Sequence, residues 1–125
     1  MPDRSDVVYR YDGTFDGFLC CVFESVYSRT VPADIVAEET LLPVRMIATD
    51  TEKAARVANG IKTKIHAGVY ETVEIGFRAS VPHKELLLLK YLLLGFKVGA
   101  KVLNMLTHED VAPVPYLRKK VYDEA

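Results

Sequence analysis

Cysteine is scarce in this chain: Cys20 and Cys21 are the only two, and they are adjacent. Neighbouring side chains diverge and do not close an ordinary disulfide, and no second pair is present to complete a zinc ribbon or an iron–sulfur site. Two unpaired thiols, and an acidic start (Met1, Pro2, Asp3) with no basic-then-apolar leader, point to a reduced, cytoplasmic setting. Long apolar runs are missing as well. The longest, residues 86–96, is interrupted by Lys90 and falls well short of the roughly 20 residues that cross a bilayer. It reads as a buried helix, with no membrane role. An excess of positive charge is also lacking: sixteen Lys and Arg against seventeen Asp and Glu leave −1. The strong sequence-independent field of a basic nucleic-acid binder is therefore absent, and any contact of that kind must be a local patch.

What remains is the composition of a folding domain. Of 125 residues, 50% are hydrophobic and 26% charged, enough for a single domain that buries about two-thirds of its unfolded surface. Residues 7–11 read as a strand, stopped by Asp12-Gly13, after which Thr14 caps a helix. Phe15, Phe18, Leu19, Val22, Phe23 and Val26 form that helix's apolar stripe, ending near Arg29. Val31-Pro32 breaks it, residues 33–39 suggest a short helical turn, and residues 44–49 a second strand, for which a parallel crossover is the commoner arrangement and a longer antiparallel return the alternative. Thr49 and Glu52 have capping-box spacing, so a helix starts near residue 50 and ends around His66 and Gly68. A short helix over Val69 to Phe77 follows, and then Pro82 suits the first turn of a helix spanning 83–106. That helix is apolar on nearly every side around 86–94 and should be the folding core. Pro113 and Pro115 open a last helix, Tyr116 to Glu124, which reaches Ala125 without a stop signal, as if the chain were cut inside a helix. The expected fold is α+β and mostly helical: four to five helices around a long central one, with a small two-stranded sheet. Isolated strand pairs are marginal, so the sheet needs helix cover or added strands.

Chemical motifs are thin. The Asp12-Gly13-Thr14 turn joins a strand to a helix start, where backbone N–H groups receive anions, so Gly13 and Thr14 are candidate anion-binding residues. The turn lacks the glycines and lysine of a phosphate loop, and plain capping is its default role. Lys90, Lys97 and Lys101 recur at seven and eleven residues, which on one continuous helix sets them in a narrow sector. With Arg118 and Lys119 (and Lys120 beside them) they are candidate nucleic-acid contacts, weighed against an ordinary solvated edge. Residues 81–125 carry seven basic and five acidic side chains, a small positive excess. Gly95 and Gly99 mark a close approach of another backbone, inside the chain or in an oligomer. His66, His83 and His108 are scattered and suit helix ends, with no metal expected. No serine lies in a nucleophile elbow, the cysteines sit mid-helix, and the carboxylate pairs Glu38-Glu39 and Glu109-Asp110 suit solvated ends, so no catalytic residue is assigned and no cofactor is expected.

Three blocks carry a resemblance: residues 11–19 (YDGTFDGFL), 51–57 (TEKAARV) and 88–99, where Leu88-Leu89-Lys90-Tyr91 leads to Leu94-Gly95-Phe96-Lys97-Val98-Gly99. With Val102-Leu103-Asn104, Leu106-Thr107 and Val121, the chain resembles the N-terminal half of a bacterial domain family of unknown function associated with DNA metabolism and repair. The resemblance implies a domain about twice this length, a radical-SAM partner protein, and occasional fusion to a uracil-DNA-glycosylase-like domain. It supplies no catalytic residues for this sequence, which has neither the three-cysteine cluster of the partner nor the motifs of a glycosylase. The expected function is a non-catalytic accessory module of a bacterial DNA-repair or DNA-modification system, touching DNA or a partner protein. The alternatives are an assembly module, docking on a second copy or the radical-SAM protein, and a base-processing enzyme with a pocket near Asp12 and Thr14.

Overall fold

The computed structural model describes residues 3–124. The chain is α+β and mostly helical. It divides into two compact units, Met1–Val57 and Ala58–Ala125. The helix end expected at Ala125, like Met1 and Pro2, lies outside the described residues.

In the first unit, β1 (Asp3–Arg4) pairs in parallel with β3 (Thr30–Val31). A separate parallel sheet has β2 (Val8–Arg10) at its centre, between β4 (Asp34–Val36) and β5 (Val44–Met46). The expected strand pair is β2 and β5, and of the two arrangements left open it takes the parallel one. The two-stranded sheet is corrected to three strands, because the segment expected as a helical turn at 33–39 contains β4. Its Ala33 N–H donates to the Val7 carbonyl at 2.9 Å, and Tyr11 N–H donates to the Val36 carbonyl at 3.0 Å. Those bonds satisfy the backbone on β2 and bury Ile35, which a solitary helical turn could not do.

α1 (Phe15–Ser28) begins where Thr14 Oγ1 accepts the Gly17 N–H. Phe18, Leu19 and Val22 of its stripe are buried, together with Cys20 and Cys21, both free thiols. The stripe fades one turn early, since Val26 is 48% exposed. The helix ends on Arg29 in the left-handed region at φ 55°, whose N–H donates to the Ser25 carbonyl.

α2 (Thr51–Gly60) contains the division between the units and runs into a π-helical turn, Ile61–Ile65, closed by His66 N–H donating to the Ile61 carbonyl. His66 then caps α3 (Ala67–Gly76), its Nδ1 accepting the Gly68 N–H at 2.8 Å. The long helix expected over 83–106 is shorter: α4 spans Lys84–Val98 and a 3-10 helix takes Gly99–Asn104. Gly99, at φ 68° and ψ −149°, leaves helical geometry and donates its N–H to Gly95, which ends the α-helical ladder. Pro82 does not enter the first turn of α4; it lies in the Val81–Lys84 turn, before His83 at φ 62°. α5 (Pro113–Glu124) starts three residues ahead of Tyr116, with Pro113 at its first position.

α4 is the spine of this second unit. Leu88, Leu89 and Leu92 are fully buried and Tyr91 nearly so. A Cβ on Gly76 would lie 3.5 Å from both Leu88 Cδ2 and Leu117 Cβ, so α3, α4 and α5 converge there. A Cβ on Gly95 would lie 2.7 Å from Ile65 Cδ1, and one on Gly99 3.8 Å from the Lys64 carbonyl. The close approach signalled by the two glycines is thus made within the chain, to the π-helical turn.

Candidate functional site

Two places gather chemistry. The first is the corner beyond the carboxyl ends of β2 and β5, the usual ligand position in open parallel sheets. Here Asp12 follows β2 and Thr49 precedes α2, while Gly13 takes φ 86° to turn the chain into α1. Asp12 Oδ1 accepts the Thr14 N–H at 2.9 Å and the Thr14 hydroxyl at 2.6 Å; Oδ2 accepts the Thr49 hydroxyl at 2.6 Å. Asp50 Oδ1 accepts the N–H groups of Glu52 and Lys53, and its own N–H and C=O bond Cys20 Sγ at 3.3 and 3.2 Å. The capping box expected from Thr49 and Glu52 is therefore corrected: Asp50 caps α2, because Thr49 is already held by Asp12. Gly17 is buried under this network, and a Cβ there would collide with Asp12 Oδ1.

The corner is a latch joining two helix starts. Thr14, the proposed anion contact, donates both its N–H and its hydroxyl to Asp12, and its oxygen caps Gly17. Hydrogen bonds from the Thr14 hydroxyl, then Thr49 and the Thr14 N–H, hold the Asp12 carboxyl below its ordinary 3.8, with slight desolvation opposing them. A lowered value makes it a poor proton acceptor, the reverse of what a general base requires. Because the folded value lies below the unfolded one, this carboxylate stabilises the fold above the unfolded value, and the contribution disappears as pH falls through the folded one. Asp12→Asn is accordingly expected to lower the urea midpoint near neutral pH, with the gap to wild type narrowing as pH falls below the unfolded carboxylate value. A gap independent of pH would show that the charge of Asp12 contributes nothing.

The second place is basic. The unit Ala58–Ala125 carries ten Lys and Arg against seven Asp and Glu, while Met1–Val57 carries six against ten. The unit division thus separates +3 from −4, more sharply than the division at residue 80. Lys90 is half-buried on α4, Lys97 exposed in its last turn, and Lys101 exposed on the 3-10 helix. The three-lysine stripe is corrected in part: Lys90 and Lys97 share an α-helical sector, but the helix ends at Val98 and the tighter period sets Lys101 apart. Arg118 is committed within the fold, its guanidinium donating to Thr72 Oγ1 at 3.1 Å and pairing with Glu71 at 3.4 Å. Lys119 is exposed beside it on α5.

Sequence reading missed Asp50 as the cap and overlooked Lys64 on the π-helical turn. An acidic residue directly before Thr51 was the available signal for the first; nothing local marks the second. His108 Nδ1 accepts the Asp110 N–H at 3.0 Å, a turn role like that of His66. Among the described residues no group of three or more His, Cys, Asp or Glu side chains could hold a metal ion, and no helix is long and apolar enough to cross a membrane. No family model, curated protein or solved structure matches the chain significantly.

Proposed function

We propose that this chain is a non-catalytic accessory module of a bacterial DNA-repair or DNA-modification system, working in the cytoplasm and meeting nucleic acid through its second unit. The observation that carries the reading is a stretch without carboxylates: residues 86–108 hold Lys90, Lys97 and Lys101 and no Asp or Glu. Lys97 and Lys101 are exposed there. The resemblance of the three sequence blocks to the DNA-metabolism family supports the same context, as do two free thiols for a reducing compartment. Arg118 is left out of the contact set because Thr72 and Glu71 already hold it, while Lys119 remains a flanking charge.

Wild-type protein is expected to bind a labelled oligonucleotide at low salt, and the Lys90→Ala, Lys97→Ala, Lys101→Ala triple variant to bind about 10-fold or more weakly, as loss of several phosphate contacts requires. Fluorescence anisotropy measures both. Equal affinities would remove these lysines from the interface.

A second reading, an assembly module that binds no nucleic acid, is favoured by the edge strand β5. All three of its residues are exposed, with Val44 and Met46 flanked by exposed Leu41 and Leu42. Parallel strands are normally covered on both faces, so this edge suits a second copy or the radical-SAM protein. Light scattering separates the readings: a mass of 14.0 kDa at all concentrations excludes self-assembly.

A further inference from the structure

We infer that Lys64, on the π-helical turn, completes one phosphate-binding corner with Lys97 and Lys101, and that its ligand is the sugar–phosphate backbone of nucleic acid. The inference rests on the nucleic-acid reading and extends it to a residue far away in sequence. Ile65 packs into the space left by Gly95, and the Lys64 carbonyl lies against Gly99. Gly99 is two residues from both Lys97 and Lys101, so their backbones lie within about 7 Å of it. The backbones of three exposed lysines from two separate segments thereby lie near one glycine.

The charge pattern agrees. Residues 58–70, like residues 86–108, contain no Asp or Glu. Two carboxylate-free segments therefore pack together in this unit. The acidic side chains on α3, Glu71 and Glu74, pair with Arg118 and Arg78. Lys62 shares the turn, its Nζ 4.3 Å from the centre of the Tyr70 ring.

A π-helical turn is a costly local geometry that recurs at functional positions. Here its effect is concrete: the widened turn ends with Ile65 seated against Gly95 and the Lys64 backbone beside Gly99. Lysines present point charges without a base-reading fork, so the contact positions a strand and carries no sequence information.

The test is the salt dependence of affinity for a labelled 20-nucleotide oligothymidylate and for a 20-base-pair duplex, using the full chain. Lys64→Gln is expected to reduce the slope of log affinity against log salt by about 0.7 on the single strand or about 0.9 on the duplex. Lys64→Arg keeps the charge and should keep the slope. Lys84→Gln, whose lysine lies over the Phe77 ring at the far end of α4, should leave it unchanged. A reduced slope on either form supports the inference and identifies the form bound. If Lys97→Gln/Lys101→Gln lowers the slope and Lys64→Gln does not, the inference is wrong while the nucleic-acid reading stands. If wild type binds neither form at low salt, both are wrong.

Discussion

Leu88→Ala is expected to destabilise the second unit by about 3–4 kcal/mol, the range for deleting a buried leucine where the surroundings cannot collapse. Leu88 is fully buried on α4, and its Cδ2 lies beside Gly76 of α3, across from Leu117 of α5. Gly76 has no side chain to swing into the vacated space, and Leu117 is itself fully buried, so most of the cavity should persist. Urea unfolding followed by far-UV circular dichroism reads the loss as a lower midpoint at an unchanged slope. A cost of about 1 kcal/mol or less would mean that the junction repacks, and that α4 is not the spine on which α3 and α5 rest.

Gly95→Leu tests the seam between α4 and the π-helical turn. Three atoms of Ile65 would lie 2.7, 3.1 and 3.4 Å from the new Cβ alone, before the rest of the leucine is placed. Overpacking of this kind costs about 1–3 kcal/mol and occasionally more, and we expect the upper end because Ile65 is buried and its backbone is held by the π-helical ladder. Helix propensity acts in the other direction, by up to about 1 kcal/mol for replacing glycine. Ile65→Ala opens the opposing space, so the double variant should be more stable than the sum of the two single effects by at least about 1 kcal/mol. Strict additivity would show that Gly95 and Ile65 do not meet. The same seam sets Lys64 beside Gly99, so Gly95→Leu should also weaken oligonucleotide binding where folded protein remains.

Much of the fold could be read from local chemistry. Thr14 as a cap, the strands after residues 7 and 43, and the buried leucines of α4 follow from side-chain type and period. The failures share a cause, namely that a partner distant in sequence overrides the local preference. Residues 33–39 look too polar for a strand until β2 offers hydrogen bonds on its open side. Thr49 has capping-box spacing, but Asp12, thirty-seven residues earlier, claims its hydroxyl. The lysine stripe assumed a single helical period, and Gly99 ends that period at a point where its missing side chain admits the Lys64 carbonyl. Gly95 and Gly99 did announce a close approach; which segment approached was not encoded nearby. The corner at Gly99 was therefore half legible: Lys97 and Lys101 were visible as a charge pattern, and Lys64 was not.

Lysine reactivity with an acetylating reagent, mapped by mass spectrometry with and without a saturating single-stranded oligonucleotide, tests the shared corner most directly. The account predicts that Lys64, Lys97 and Lys101 are protected together by several-fold, while Lys84 over Phe77 and Lys53 over Phe23 react at unchanged rates. Protection spread evenly over all lysines, or confined to residues outside this trio, would contradict it.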